Sequence, residues 1–234
     1  MSKILLQFKN FTAVLGRKTI LERIQTTVSS GEIIGVVGAN GSGKTSLLRS
    51  SMGLIPAIQG EVLVTQIPSS ISLTQNLANH FAYAPQNPHS TWDFTIEELG
   101  QLSPQIDLFE EWTRRFALRE KKSYRLSALS GGERKIAHLC LTFSLHRNFL
   151  DKCVILDEPT AALDFCRAEL VTRAIKEMAD QGAGVLVATH DLSLAYQCHE
   201  LTLLKAGENV AHGKPREVLT PTIIQETWGV PVKL

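Results

Sequence analysis

Gly38-Ala39-Asn40-Gly41-Ser42-Gly43-Lys44-Thr45 sets three glycines ahead of a lysine and a threonine, in the pattern GxxxxGK[ST]. Glycines let backbone N–H groups wrap phosphate oxygens without side-chain obstruction, while Lys44 would neutralise the β and γ phosphates and Thr45 would ligate Mg²⁺. A phosphoryl-transfer site needs two things more, a carboxylate near the metal and a group that orients water. Val154-Ile155-Leu156-Asp157-Glu158 offers both. An apolar run delivers Asp157 at its end, where it can hold Mg²⁺ through water, and Glu158 follows where a general base is useful. An Asp-Glu pair after a strand is common in solvated loops; joined to the glycine loop it becomes a chemical site. Between the two lies Leu129-Ser130-Gly131-Gly132-Glu133, polar and glycine-rich, which resembles neither. Ser130 there reads as a helix cap.

These residues need elements to hold them. Residues 4–11 and 19–28, separated by Gly16-Arg17-Lys18, read as an antiparallel β entry. Residues 33–37 form a β-branched run before the glycine loop, and Ser46-Leu47-Leu48-Arg49 after it favours helix, so the loop has its strand–loop–helix context. Residues 61–65 and 81–84 predict further strands, and residues 96 to about 119 a helix interrupted around Ser103-Pro104. Residues 153–156 and 184–189 read as buried strands on either side of a helical stretch at 164–181, which predicts parallel strands with crossover helices. The expectation is one domain over residues 1–234, with an inserted helical subdomain at about 88–145 and no internal repeat.

Composition narrows the class. The 234 residues, 44% hydrophobic, are enough for a substantial core. A net charge of +1 without a long Lys/Arg run gives no electrostatic footprint for nucleic acid. The longest apolar runs fall far below the ~18 residues needed to span a bilayer, and the N-terminus lacks a signal-peptide pattern, so any membrane role is expected to be peripheral and the location cytoplasmic. Cys140, Cys153, Cys166 and Cys198 are widely spaced, which favours buried reduced thiols over disulfides or metal ligands. The seven histidines show no metal-ligand spacing.

Four further segments follow a set order: Pro85-Gln86 after a strand, residues 129–133, Pro159-Thr160-Ala161-Ala162-Leu163-Asp164, and Thr189-His190-Asp191. With the glycine loop they make the chain resemble the ATP-binding-cassette ATPases over nearly its whole length. The resemblance implies an α/β fold with a P-loop ATPase core, a mixed and mainly parallel sheet, an N-terminal antiparallel β subdomain and an α-helical subdomain. It implies ATP and Mg²⁺ as cofactors. Gln86 would contact Mg²⁺ and the attacking water while sensing a membrane partner, and His190 would hydrogen-bond the γ-phosphate and help position Glu158. Ser130, Gly131, Gly132 and Glu133 would face the nucleotide of a second copy, and Asp164 would lie at that homodimer's interface.

Within the family, Gly213-Lys214-Pro215-Arg216-Glu217-Val218-Leu219-Thr220, the stretch at 228–232 and residues 73–78 resemble ATPases of importers for iron-siderophore, haem and cobalamin. That implies a peripheral subunit on the cytoplasmic face of the inner membrane, bound to an integral membrane permease and served indirectly by a periplasmic or surface substrate-binding protein. Alternatives are a zinc or manganese importer, an exporter ATPase, or a soluble scaffold such as one for cluster assembly. Trp92, Phe94 and Ile96 are candidates for a groove that takes a permease helix. Two departures stand out. Leu15 occupies the place of the usual aromatic residue that stacks on adenine, which weakens expected ATP binding unless Phe11 or another ring substitutes. After Glu133 the chain reads Arg134-Lys135-Ile136-Ala137-His138, unlike the family's usual Arg/Gln alternation.

Overall fold

The computed structural model describes residues 2–64, 79–88 and 92–229. Residues 73–78 and 230–232, part of the importer resemblance, lie outside them. Nine strands form one sheet in the order β4-β1-β2-β9-β8-β3-β7-β6-β5. Strands β1 (Ile4–Leu15) and β2 (Lys18–Ser29) are the expected antiparallel entry, four residues longer at the hairpin end of β1, with β4 (Gln59–Val64) on the outer edge. The parallel part joins β3 (Ile33–Val37), β5 (Phe81–Ala84), β6 (Cys153–Asp157), β7 (Gly184–Ala188) and β8 (Glu200–Lys205), and β9 (Glu208–Gly213) returns antiparallel to β8.

Every residue of β3, β6 and β7 is buried. Successive side chains point to opposite faces, so each strand serves two cores. Ile34, Val36, Ile155 and Leu186 pack with β1, β2 and α1 (Lys44–Ser51). Ile33, Val37, Val154, Leu156, Val185 and Val187 pack with the helices of the opposite face. This two-sided burial explains why these strands read as continuous apolar runs.

The expected helix at 96–119 is two helices, α2 (Ile96–Gly100) and α3 (Ile106–Arg115), parted where Ser103-Pro104 stands. Single 3₁₀ turns at Arg119–Lys121 and Leu126–Ala128 lead to α4 (Gly131–Phe143). Trp112 of α3 and Phe116, which caps its C-terminus, pack on Phe143 of α4, and Trp112 Nε1 donates to the Phe143 carbonyl at 3.2 Å, so the rings lock the two helices without leaving the indole N–H unpaired. Downstream lie α5 (Phe165–Asp180), α6 (Leu192–Ala195), α7 (Pro215–Val218) and α8 (Pro221–Trp228). Among the described residues, no helix is long and apolar enough to cross a membrane.

Three of the four thiols are buried as expected, and burial pushes Cys153 and Cys198 up to about 12. Cys166 departs from the expectation: it is exposed near the start of α5, whose first turns bury little. The proposed trio for a groove is also divided. Ile96 is core and Phe94 packs against it, while Trp92 is 74% exposed.

Candidate active site

The carboxyl ends of β3, β6 and β7 lie side by side, the place where parallel α/β sheets present ligand-binding loops. From β3 the chain enters the glycine loop. Gly38 has φ 151°, and a Cβ there would stand 2.3 Å from the Leu204 carbonyl oxygen and 2.6 Å from Ser42 Oγ, so only glycine lets the loop turn back on itself. The loop ends at Gly43 and α1 begins at Lys44. A cleft of about 500 Å³ opens beside it, lined by Asn40, Gly41, Gly43, Lys44, Thr45, Gln86, Asp157 and Glu158, with Lys18, Thr19 and Ile20 of β2 on one wall.

Inside this cleft the polar groups are already arranged for a phosphate and a cation. Lys44 is only 8% exposed, and its Nζ donates to the carbonyls of Gly38 (2.9 Å) and Ala39 (3.3 Å). These are neutral partners that a phosphate can replace with a charge-assisted bond. Thr45 Oγ1 donates to Asp157 Oδ2 at 2.8 Å, which brings the two expected metal ligands together. Burial raises the Asp157 carboxyl above its ordinary value, opposed by the Thr45 hydrogen bond. Asp157 Oδ1 and Ser42 Oγ are buried with no hydrogen-bond partner among the described residues. A buried unsatisfied polar atom costs about 1–3 kcal/mol, a cost that a ligand in the cleft would remove at Asp157, which lines it. Hard oxygen donors at Thr45 and Asp157 suit Mg²⁺, so the residues fit the expected cofactor.

Glu158 follows β6 with φ 53°, a left-handed backbone uncommon for a residue other than glycine. Its carboxylate is 5% exposed; Oε2 lies 2.6 Å from His190 Nδ1 and accepts the His190 backbone N–H at 3.3 Å. The contact places the imidazole proton on Nδ1 and leaves Nε2 for another partner. His190, with a side chain 62% exposed, thus sits between the buried carboxylate and solvent.

Not all the sequence-predicted residues reach this cleft. Gly38, Ala39 and Ser42 belong to the bordering loop without lining it, His190 meets it only through Glu158, and Ser130, Gly131, Gly132, Glu133 and Asp164 are absent from its lining. Ser130 caps α4 in a capping box, accepting from the Glu133 N–H at 3.2 Å while Glu133 Oε2 accepts from the Ser130 N–H at 3.1 Å. Lys121 at 2.7 Å and Arg167 at 3.4 Å hold the Glu133 carboxylate, which is pulled down to about 2 chiefly by Lys121. Asp164 caps α5 through the Arg167 N–H at 2.9 Å. Gly132 lies against the Ala162 carbonyl, 3.0 Å from where a Cβ would sit, whereas Gly131 faces open space and Ser130 is exposed.

Sequence reasoning left out one participant. Lys135, four residues into α4, is 8% exposed and its Nζ donates to the carbonyls of Glu158 and of Ala161, the latter at 3.3 Å. Burial lowers the Lys135 ammonium from its ordinary value, while Glu158 and Asp157 pull it back up. The departure after Glu133 was visible in the sequence, but only the packing of α4 under the Glu158 turn shows what it contacts. The adenine end also resolves. Leu15 is 66% exposed, Phe11 is buried against Phe8 and cannot serve as the substitute ring, and no aromatic side chain is among the described residues lining the cleft.

A family model described as ABC transporter matches residues 21–161, a little over half of the chain. The chain is similar to hemin import ATP-binding protein HmuV of Pseudomonas fluorescens (strain Pf0-1), 36% identical over 93% of this chain and 89% of the relative. It is also similar to the protein of the same name from Photobacterium damsela subsp. piscicida, 29% identical over 99% and 91%. Among solved structures, an ATP-binding subunit of an ABC transporter superposes with a TM-score of 0.79 at 24% identity, covering 98% of this chain and 95% of that one. A dimeric ATP-binding cassette in a post-hydrolysis state with ADP and Pi superposes at 0.78 and 21% identity, over 91% and 99%. The structures show the fold and the sequence matches show the lineage: the chain belongs to the ABC transporter family, as an ATPase subunit.

Proposed function

We propose that this chain hydrolyses ATP as one of two identical subunits bound to a membrane permease, and so drives uptake of a metal chelate of the haem type. The relatives above are named for hemin import, which supports that substrate class over the zinc, manganese and exporter alternatives. The subunit sits peripherally on the cytoplasmic face of the inner membrane, and a substrate-binding protein outside that membrane delivers the cargo. The whole chain acts as one ATPase domain, with residues 88–145 as its helical arm. A cleft of about 440 Å³ between α2 and α3, lined by Ile96, Glu97, Gln101 and Phe109 among others, is the candidate seat for the permease, with exposed Trp92 elsewhere on the same arm.

One observation carries the two-subunit reading. Gly131 occupies the first position of α4, with a backbone that does not itself call for glycine. Nothing within 4 Å among the described residues of its own chain requires the missing side chain. Close approach of a phosphate from a second copy gives the glycine a purpose. The exposed Ser130 hydroxyl and the first N–H groups of α4 would supply donors to it.

In the assigned sequence, Lys44 leaves the Gly38 and Ala39 carbonyls for the β and γ phosphates, and the loop amides wrap them. Thr45, Gln86 and Asp157 would hold Mg²⁺, which when bound neutralises charge on the phosphates. Glu158 takes the proton of the attacking water, oriented by the His190 N–H, and the His190 side chain reaches the γ-phosphate. Product release lets the two copies separate. Glu158→Gln is expected to bind ATP normally and to lose about 10²–10⁴-fold in turnover, the usual worth of a general base. Near-normal turnover would reject Glu158 as the base. The transport reading is tested by purifying the tagged protein from membranes of its host: an integral membrane partner should accompany it, and its ATPase should rise with a hemin-loaded binding protein. A soluble assembly partner in its place would favour the scaffold alternative.

A further inference from the structure

We propose that Lys135 is a positioning residue for hydrolysis: its buried ammonium fixes the Glu158 backbone in the conformation that presents the Glu158 carboxylate to the phosphate end of the cleft. The proposal rests on Glu158 being the base.

The argument begins with the left-handed backbone at Glu158, φ 53°. Such a conformation is strained in a side-chain-bearing residue and persists only when its surroundings over-determine it. Each polar group of Glu158 has a fixed partner. Its N–H donates to the Ala188 carbonyl of β7 at 2.9 Å, and its carboxylate Oε2 accepts from His190. Its carbonyl accepts the Ala161 N–H of the following turn at 3.2 Å and, as its one side-chain donor, Lys135 Nζ. The first contact belongs to the sheet edge and the second engages the catalytic atoms themselves. Lys135 is therefore the side chain that anchors the peptide plane between Glu158 and Pro159 from outside the cleft.

The same ammonium reaches the Ala161 carbonyl at 3.3 Å, so it spans the turn that follows Glu158 from its first residue to its fourth. Lysine is among the side chains least often buried, because an unpaired ammonium in a low-dielectric site is strongly disfavoured. Two carbonyls satisfy this one, and the nearby carboxylates of Glu158 and Asp157 offset its desolvation. The charge is held where it stabilises the turn; Lys135 itself is not among the residues lining the cleft and meets Glu158 only through its backbone carbonyl.

The test compares Lys135→Met, Lys135→Gln and Lys135→Arg, each alone and combined with Glu158→Gln, by steady-state ATPase and by nucleotide titration. Lys135→Met is expected to lower kcat on the order of tenfold to a hundredfold, as small misplacements of reacting groups do, while nucleotide affinity stays within about twofold. Lys135→Arg, which keeps a charged donor, should recover most of the rate. In the Glu158→Gln background, Lys135→Met should change nothing further, because no base remains to be aimed. An unchanged kcat in Lys135→Met overturns the proposal, as does the same fold-loss in both backgrounds or a parallel loss of kcat and affinity. If Lys135→Met fails to fold, Lys135→Gln, a shorter neutral donor, carries the same comparison with an intermediate loss expected. Wild-type turnover in Glu158→Gln alone would instead reject the base assignment, whatever the Lys135 variants do.

Discussion

Leu15→Tyr is expected to tighten ATP binding. Leu15 closes β1 and pairs directly with Lys18 across the hairpin, and Lys18 lines the nucleotide cleft. Residues directly opposite in an antiparallel pair project to the same face, so a ring at position 15 would point along the cleft wall. Leu15 is 66% exposed, which leaves room for the larger side chain without repacking, and tyrosine suits a strand. Stacking of a base on an aromatic ring is worth roughly 1–3 kcal/mol. Leucine already provides some apolar contact, so the lower part of that range applies: about 1–2 kcal/mol, or about a 5- to 30-fold smaller Kd. The assay is equilibrium titration of ATP in the Glu158→Gln background, where hydrolysis does not intrude, with inorganic tripolyphosphate as control. Tripolyphosphate shares the phosphate contacts of Lys44 and the glycine loop but has no base to stack. An unchanged Kd for ATP, or equal tightening for both ligands, would refute the reasoning.

Two other outcomes follow from the packing around α4. Ile136 is fully buried in the core on the helical face, so Ile136→Ala should cost about 2–5 kcal/mol in urea unfolding, and a loss below this range would mean the site collapses around the smaller side chain. The Glu133 carboxyl lies at about 2 in the folded chain against an ordinary 4.5, because Lys121 and the Ser130 N–H hold its charged form. A depressed folded value stabilises fully above the unfolded value, and that contribution is lost as pH falls from about 4.5 through about 2. Lys121→Ala should therefore be less stable than wild type at pH 6, by an amount that shrinks across that acid window; a pH-independent deficit contradicts the assignment. Lys121 is 40% exposed, so added salt should also narrow the gap.

Much of this molecule was legible in its sequence because several signals were local. A GxxxxGK[ST] run needs only its own backbone to curl, and Ser130 caps α4 within four residues. The buried strands announced themselves as unbroken apolar runs, since parallel strands have no polar face. Residues at longer range were less readable. Phe11 looked available to a base until the β1 register turned it toward Phe8, and exposed Cys166 looked like its buried counterparts. Trp92, Phe94 and Ile96 sit close in sequence yet divide between surface and core, because α2 begins between them and the last of them.

The sequence by itself determined the chemistry on offer: a phosphate loop, an Asp-Glu pair after a strand, a capped glycine-rich helix start, and their order along the chain. Those are properties of short segments, fixed by backbone geometry and side-chain type. Tertiary structure decided which of them meet. It set Thr45 on Asp157 and His190 on Glu158 by aligning the carboxyl ends of three strands, and it left Gly131 facing open space. It also placed Lys135 beneath Glu158, 23 residues away in the chain, because a helix packed under a sheet edge joins positions that no local pattern connects.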